Sequence, residues 1–380
     1  MALKILFCGG GTAGHINPAL AIAAYISERH PDCEMEFVAS TQRSDKAREL
    51  VGRAGHKLTR VHICGMARPL YSPVNVKTAV YMVISRGEAK RIIKRFKPDI
   101  IIGTGGYACW PLLSRGADMG IPTLLHESNA HPGLVVRRLK NKVDRILVNF
   151  EETREQLAAE SSEQRVIRVG NPFIKGFDTT GGISRAEARA ALGLTDSDVY
   201  VLSFGGSRGA PALNRAVIGI CDELVRRAPS VVLHIGTGKD NFAEAKEQFS
   251  LIESARSERV KLLDYIYDMP TRMAAADVVI SRAGSMSVSE LALASKAAIL
   301  VPSPNVTDGH QYKNAKSVED ADACVCIEEK DFARLADTVV RLAESKSERE
   351  RLGRNINANF ATPDANERIY DEVMRLIRRK

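Results

Sequence analysis

The residues best placed to do chemistry lie in Phe7-Cys8-Gly9-Gly10-Gly11-Thr12-Ala13-Gly14-His15, where an apolar strand passes through glycines into a helix. That order puts an imidazole on the helix's first turn. A glycine turn of this kind lets backbone amides approach a phosphate, and the positive end of the helix dipole offsets the phosphate's charge. His15 is the candidate general base, since a helix N-terminus disfavours the imidazolium form and keeps the ring able to accept a proton. The competing reading is a histidine that orients the loop or binds a phosphate oxygen. Near mid-chain, Phe204-Gly205-Gly206-Ser207-Arg208-Gly209-Ala210 repeats the strand, glycine turn and helix. Two such cradles predict two nucleotide-type α/β halves facing one cleft and a reaction between two phosphorylated substrates.

Gly9-x-Gly11-x-x-Gly14 also matches the dinucleotide fingerprint, whose acidic partner belongs at the carboxyl end of the next strand. That end reads Val38-Ala39-Ser40, while Glu34 and Glu36 lie at the strand's start. A dehydrogenase is therefore kept only as an alternative. A third turn, Gly103-Thr104-Gly105-Gly106-Tyr107, combines with the first into an extended anion site suited to a diphosphate.

In the second half, Ser281-Arg282-Ala283-Gly284-Ser285-Met286-Ser287-Val288-Ser289-Glu290 follows a strand and starts a helix. Ser285 or Ser287 is expected to cap that helix, and Glu290 to accept hydrogen bonds from two vicinal ribose hydroxyls. The plainer reading of Glu290 is a carboxylate that complements the helix dipole. Asp308-Gly309-His310-Gln311-Tyr312-x-Asn314 follows the next strand and brings amide and acid groups to the same rim.

No metal is expected. Charge developing on a nucleotide leaving group is stabilised by helix N-termini and loop amides, without a divalent ion. Asp196-Ser197-Asp198 falls in a turn and reads as solvated, and His126 and His131 are five apart after a strand, which breaks the i, i+4 spacing of a zinc helix.

The elements that position these groups alternate regularly. Strands are predicted at Lys4 to Cys8, Glu36 to Ala39, Leu58 to Ile63, Asp99 to Gly103, Pro122 to His126, Arg145 to Val148 and Val166 to Val169, with a helix from Pro18 to about Arg29. Short β-branched runs separated by amphipathic helical segments imply parallel sheets covered on both faces. The irregular stretch Phe173 to Ile183 reads as a linker. Strands resume at Tyr200 to Phe204, Val231 to Ile235, Val260 to Leu263, Val278 to Ser281, Ala298 to Val301 and Ala323 to Ile327. The expected division is residues 1–172 and 173–363, with a C-terminal helix in 364–380 rejoining the first domain.

A chain of 380 residues supports two such cores, and 44% hydrophobic with 26% charged residues is ordinary for a globular protein. The start lacks a secretory signal, and no window reaches the roughly 18 apolar residues of a membrane span. A cytoplasmic location is expected. The seven cysteines show no zinc spacing and read as reduced core residues. A net charge of +8 with only 6% aromatics permits an anionic partner and argues against nucleic acid.

With these residues in view, the chain resembles the MurG family of bacterial glycosyltransferases, which move N-acetylglucosamine from UDP-N-acetylglucosamine onto undecaprenyl-pyrophosphoryl-N-acetylmuramyl pentapeptide in peptidoglycan synthesis. The likeness spans nearly the whole chain. Its anchors are G-G-T-x-G-H at Gly10 to His15, G-x-G-G-Y at Gly103 to Tyr107, H-E-x-N at His126 to Asn129, G-N-P at Gly170 to Pro172, G-G-S-x-G-A at Gly205 to Ala210, and V-S-E ending at Glu290. The resemblance implies a GT-B fold of two doubly wound Rossmann-like domains, inverting transfer, and no cofactor. It assigns Ser207 to the donor diphosphate, the backbone of Ile266 to uracil, Ser285 to Glu290 to the nucleotide, and Gln311 with Asn129 to the N-acetylglucosamine. Thr12, Ala13 and Gly14 would line the cleft, and Gly11, Gly105, Gly106 and Tyr107 would hold the acceptor diphosphate. The family's arginine two residues after G-N-P is Ile174 here, with Lys175 beside it, so Lys175 or Arg208 would have to supply the cation.

A membrane-embedded acceptor also requires a lipid-facing surface, which places the protein peripherally on the cytoplasmic face of the cell membrane. Leu70, Tyr71, Val74, Val76, Val80, Met82 and Val83 precede Arg86, Lys90, Arg91, Lys94, Arg95 and Lys97, an apolar then basic order suited to an anionic leaflet. The alternative is a helix that buries its apolar side against the sheet. Related functions that would share the donor half are a GT-B enzyme with another acceptor, such as a diacylglycerol glycosyltransferase, a UDP-sugar epimerase, and a non-catalytic nucleotide-sugar binding subunit.

Overall fold

The computed structural model describes residues 2–42, 45–65, 74–161, 165–173, 182–206 and 209–379. The chain divides into two compact units, Met1–Ile174 with Asp364–Lys380, and Lys175–Pro363. In the first, β1 (Lys4–Cys8), β2 (Glu34–Ser40), β3 (Lys57–Val61), β4 (Ile100–Gly103), β5 (Thr123–Glu127), β6 (Arg145–Val148) and β7 (Val166–Arg168) form one sheet. Its order is β3-β2-β1-β4-β5-β6-β7, parallel throughout.

Side-chain alternation explains how both faces become buried. Leu6, Cys8, Val38, Ile101, Leu125 and Ile146 pack on one face with Ile92 and Ile93 of the helix Val74–Phe96 and Leu112 and Leu113 of the helix Cys109–Asp118. Ile5, Phe7, Phe37, Ile102 and Leu124 pack on the other with Ile16, Ile22 and Ile26 of the helix Ala13–Arg29. That second face is completed by the C-terminal helix Ala365–Arg378, through Ile369, Val373 and Leu376. The spacing i, i+4, i+7 is one helical stripe. The nearly buried ion pair Arg145–Glu372, at 2.8 Å, fixes the register of this helix on the sheet.

The second unit repeats the pattern with β8 (Val199–Phe204), β9 (Val231–Gly236), β10 (Val260–Leu263), β11 (Val278–Ser281), β12 (Ala297–Leu300) and β13 (Val325–Cys326). The order is β10-β9-β8-β11-β12-β13, again parallel. Val201, Leu233, Val278, Ile280 and Ile299 build its core with Leu213, Val217, Leu335 and Val339.

Three local differences from the sequence reading have physical causes. The first helix begins at Ala13, and Pro18 lies inside it. A proline ordinarily marks a helix start, because it lacks the amide that early positions leave unpaired anyway. Here burial of Ile16, Ala19, Ile22, Ala23 and Ile26 against the sheet carries the helix through it. The cap of the helix Ser285–Leu293 is Gly284, so neither Ser285 nor Ser287 occupies that position. Asp198, expected to be solvated, accepts from the Thr195 amide at 2.7 Å and the Arg259 guanidinium at 2.9 Å. It holds the turn that leads into β8.

Candidate functional site

In each sheet the chain reverses its direction of travel at one point, and loops on either side of that point leave a crevice beyond the carboxyl ends of the strands. In the first unit the reversal falls between β1 and β4. The segments after those strands are the turns Gly9–Thr12 and Thr104–Tyr107, which sequence reasoning had paired. They are joined directly, with the Gly10 amide donating to the Gly105 carbonyl at 2.8 Å. Gly105 and Gly106 have φ of +100° and +84°, and a Cβ on Gly106 would lie 2.5 Å from the Gly10 Cα. Only glycine permits this approach.

His15 is set into the junction of the two turns. A Cβ on Gly10 would come within 2.5 Å of its Nδ1, and one on Gly105 within 2.7 Å of its Cδ2 and 3.1 Å of its Nε2. The ring is therefore walled by backbone on both edges. Thr12 Oγ1 lies 3.1 Å from Nδ1, and the Thr104 hydroxyl donates to the His15 carbonyl at 2.7 Å. Thr104 went unnoticed in the sequence because its role depends on β4 lying beside β1.

Asn129 follows β5, the next strand out. The Glu127 carboxylate accepts from the Asn129 amide and side-chain nitrogen, each at 3.0 Å, and from the Gly133 amide at 2.9 Å, so it ties the loop into one shape. His126 is fully buried, which drives its pKa down to about 4, and its neutral ring donates from Nε2 to the Gly170 carbonyl at 2.9 Å. Histidine and glutamate in H-E-x-N thus serve the scaffold. Tyr107 packs its ring over Gly65, where a Cβ would meet the ring at 2.6 Å.

In the second unit the reversal falls between β8 and β11. After β8, Gly206 and Gly209 have φ of +84° and +73°, and a Cβ on Gly209 would lie 1.9 Å from the Thr237 carbonyl oxygen. The same oxygen accepts from Asn214 Nδ2 at 3.0 Å. Ile266 packs its side chain on Gly236, with a hypothetical Cβ 2.5 Å from its Cδ1, which brings the loop after β10 to the same edge. Thr237 organises the Gly209 turn through a backbone oxygen, which carries no residue-type signal.

After β11, Glu290 sits on the second turn of the helix Ser285–Leu293. It is half-buried, and no hydrogen-bond partner for its carboxylate is present among the described residues. Desolvation alone lifts it to about 7. Val288 turns its side chain into the core, so only its backbone is near the rim, while Met286 and Ser287 are partly exposed. Asn314 donates to the Ala283 carbonyl at 3.1 Å, which draws the helix His310–Asp320 to this rim, and Gln311 accepts from the Ser303 amide at 2.9 Å.

The four helices bordering these reversal points begin at Ala13, Cys109, Pro211 and Ser285. None has a side-chain cap or an acidic residue in its first turn. The helices Leu134–Leu139 and Met269–Ala275 share this lack, whereas the helix Arg185–Ala191 carries a full capping box from Ser184 and Glu187. Uncapped amides and an unopposed dipole favour an anion. Ile174, Lys175, Ser207 and Arg208 lie outside the described residues.

The dehydrogenase alternative loses its acidic partner here. Glu36 is buried and accepts from Thr59 at 2.6 Å, with Arg95 and Lys57 also paired to it. Among the described residues, no group of three or more His, Cys, Asp or Glu side chains is placed to hold a metal ion.

Two parallel α/β units, each with a glycine turn at its reversal point, match the GT-B class of fold. Family models for the glycosyltransferase family 28 N-terminal and C-terminal domains match residues 5–148 and 200–369. The chain belongs to glycosyltransferase family 28. A protein of Acetivibrio thermocellus is 37% identical over 100% of this chain and 99% of its own length, and one of Exiguobacterium sp. is 36% identical over 99% and 100%. Both are named UDP-N-acetylglucosamine–N-acetylmuramyl-(pentapeptide) pyrophosphoryl-undecaprenol N-acetylglucosamine transferase. Among solved structures, Acinetobacter baumannii MurG aligns with a TM-score of 0.77 at 22% identity, covering 98% of this chain and 99% of that one. A Neisseria meningitidis UDP-GlcNAc 2-epimerase bound to UDP-GlcNAc aligns at 0.64 and 15%, covering 98% and 100%. These two establish a shared fold.

Proposed function

We propose that this chain transfers N-acetylglucosamine from UDP-N-acetylglucosamine to undecaprenyl-pyrophosphoryl-N-acetylmuramyl pentapeptide, with inversion at the anomeric carbon. The observation that carries the reading is the set of uncapped, acid-free helix starts at both reversal points, one pair per unit, in a chain that matches transferases of that name over its full length. Each unit then has its own anion. The second takes the donor, with Glu290 on the ribose, the Ile266 backbone on uracil, the amides of Ser285 to Ser289 on the diphosphate and Gln311 on the sugar. The first takes the acceptor, with Gly11, Gly105, Gly106 and Tyr107 around its diphosphate, while Thr12, Ala13 and Gly14 are substrate-binding and Asn129 is near the N-acetylglucosamine. His15 removes the proton from the attacking hydroxyl.

The lipid acceptor is met by the helix Val74–Phe96. Val76, Val80 and Val83 are 70%, 51% and 75% exposed, and Ile84 is exposed beside them. They sit one helical turn apart along a single outward stripe. Lys90, Arg91 and Lys94 follow on the exposed side, whereas Arg86 pairs with Asp118 and Arg95 with Glu36. An apolar stripe with a basic end suits an anionic leaflet, each cation adding about 1 kcal/mol near the surface. Leu70 and Tyr71 lie outside the described residues. No helix among the described residues is long and apolar enough to cross a membrane.

The deciding experiment is UDP release from UDP-N-acetylglucosamine with and without the lipid-linked muramyl pentapeptide. Release that requires the acceptor supports the reading. Formation of a sugar epimer would replace it with an epimerase, and binding without turnover with a non-catalytic subunit. His15→Ala should lower kcat by roughly 10²- to 10⁴-fold as befits loss of a general base, whereas a change confined to KM would make it a binding group.

A further inference from the structure

We infer that Thr12 is a positioning residue for His15, its hydroxyl accepting a hydrogen bond from Nδ1–H so that Nε2 carries the lone pair that takes the acceptor's proton. The inference rests on the proposed role of His15 as base. Three observations carry it. Thr12 is the N-cap residue of the helix Ala13–Arg29, with extended φ and ψ of −104° and 152°, the usual setting for a side-chain cap. Its hydroxyl makes no cap bond. Instead it lies 3.1 Å from Nδ1 of the side chain three residues on, the separation at which two helical side chains meet. The surrounding backbone then leaves the ring little freedom: Gly10 backs the Nδ1 edge and Gly105 the Nε2 and Cδ2 edge.

The glycine at 105 has a second consequence. A Cβ there would stand 3.1 Å from Nε2. Any side chain at this position would therefore cover the nitrogen that must reach the substrate. Backbone and hydroxyl thus divide the work: Thr12 addresses one ring nitrogen, and the bare backbone of Gly105 lies along the edge that holds the other.

The proton balance supports this direction of the hydrogen bond. As the acceptor hydroxyl oxygen bonds to the anomeric carbon, the bond from that carbon to the UDP oxygen breaks and its electron pair leaves with UDP. The hydroxyl proton passes to Nε2. The resulting imidazolium bears hydrogen on both nitrogens, so Nδ1–H must find an acceptor. A threonine oxygen that already accepts from Nδ1–H serves the neutral and the charged ring without reorganising, which is how a fixed partner of a catalytic histidine sets its tautomer.

The test compares the full-length protein with Thr12→Val and Thr12→Ser, using ring ¹⁵N and ¹³Cδ2 NMR shifts of His15 alongside steady-state kinetics. The wild type should show an unprotonated Nε2 and a protonated Nδ1. Thr12→Val, of nearly the same shape, should move the neutral proton toward Nε2. It should also lower kcat by roughly 10- to 100-fold, within the range general acid–base catalysis supplies, and weaken the acid limb of the kcat profile. Thr12→Ser should restore both tautomer and rate. A wild-type ring protonated at Nε2, an unchanged tautomer in Thr12→Val, or a loss confined to KM would each overturn the inference. If the tautomer behaves as described but His15→Ala keeps its kcat, the positioning stands and the base assignment falls.

Discussion

The Gly10 amide donates to the Gly105 carbonyl at 2.8 Å, and this one bond joins two turns that are 95 residues apart in the chain. It makes the two turns of the first unit a single structure. The bond itself is of ordinary length, but a Cβ on Gly106 would stand 2.5 Å from the Gly10 Cα, so the turns can lie this close only with glycine there.

Gly106→Ala should therefore be costly. The new methyl would stand 2.5 Å from the Gly10 Cα, at a φ of +84° that alanine adopts only with strain. Denaturant unfolding should show a loss of about 1–3 kcal/mol, the usual cost of such a conformation, and kcat/KM should fall because the His15 turn shifts with it. Gly14→Ala is the matched control. Nothing lies within 4 Å of a Cβ there, and the residue is helical. That variant should gain about 0.5–1 kcal/mol by the ordinary glycine-to-alanine helix preference, and any loss of acceptor affinity would then report contact with substrate.

Glu290 predicts a pH dependence of donor binding. In the free protein, desolvation holds its carboxyl at about 7, well above the usual value. A ribose diol donates two hydrogen bonds and so prefers the ionised form. Affinity for UDP should be greatest above pH 7 and decline as pH falls through it, approaching tenfold per unit on the acid side. Titration calorimetry at pH 6, 7 and 8 checks this, and Glu290→Gln should bind weakly with a flat profile. The free protein shows the opposite sign. A raised carboxyl favours the folded state when protonated and loses that contribution as pH rises through 7. Glu290→Gln should accordingly raise the melting temperature at pH 8 and leave it nearly unchanged at pH 5.

The helix Val74–Phe96 supplies a prediction about membranes. Replacing Val76, Val80 and Val83 by serine removes the exposed stripe without touching the buried Ile92 and Ile93. Co-flotation with vesicles containing anionic lipid should be lost while the circular dichroism spectrum is kept. Lys90, Arg91 and Lys94 changed to glutamine should weaken flotation mainly at low salt, since their contribution is Coulombic and screened. Flotation unchanged in both variants would remove this helix as the docking surface.

Much of this molecule can be read from residue types alone. Strands such as Lys4 to Cys8, Arg145 to Val148 and Val278 to Ser281 match prediction residue for residue, because a parallel strand covered on both sides must be a short, continuous apolar run. The glycine turns are equally plain, since positive φ and close backbone approach demand glycine, and His15 announces itself by standing at a helix start. The stripe of Ile369, Val373 and Leu376 likewise marks the last helix as one that packs on something.

What the chain order alone left open was which groups meet. The Thr104 hydroxyl at the His15 carbonyl, the Thr237 carbonyl under Gly209 and the Asn314 amide on Ala283 all join residues 28 or more positions apart. All three involve backbone oxygens, which every residue possesses. Charge was ambiguous for the same reason: Glu36, Asp198 and Glu290 are all carboxylates near strand or helix ends, yet the first two are consumed by arginines and loop amides while the third is left without a partner among the described residues. Likewise, apolar spacing told that Val76, Val80 and Val83 share a helix face, but only packing decided that this face is the one turned to solvent. Sequence determines what each residue can do within a few positions of itself, through sterics, periodicity and helix ends. Tertiary structure decides partner and exposure, because those depend on atoms that folding brings from elsewhere in the chain.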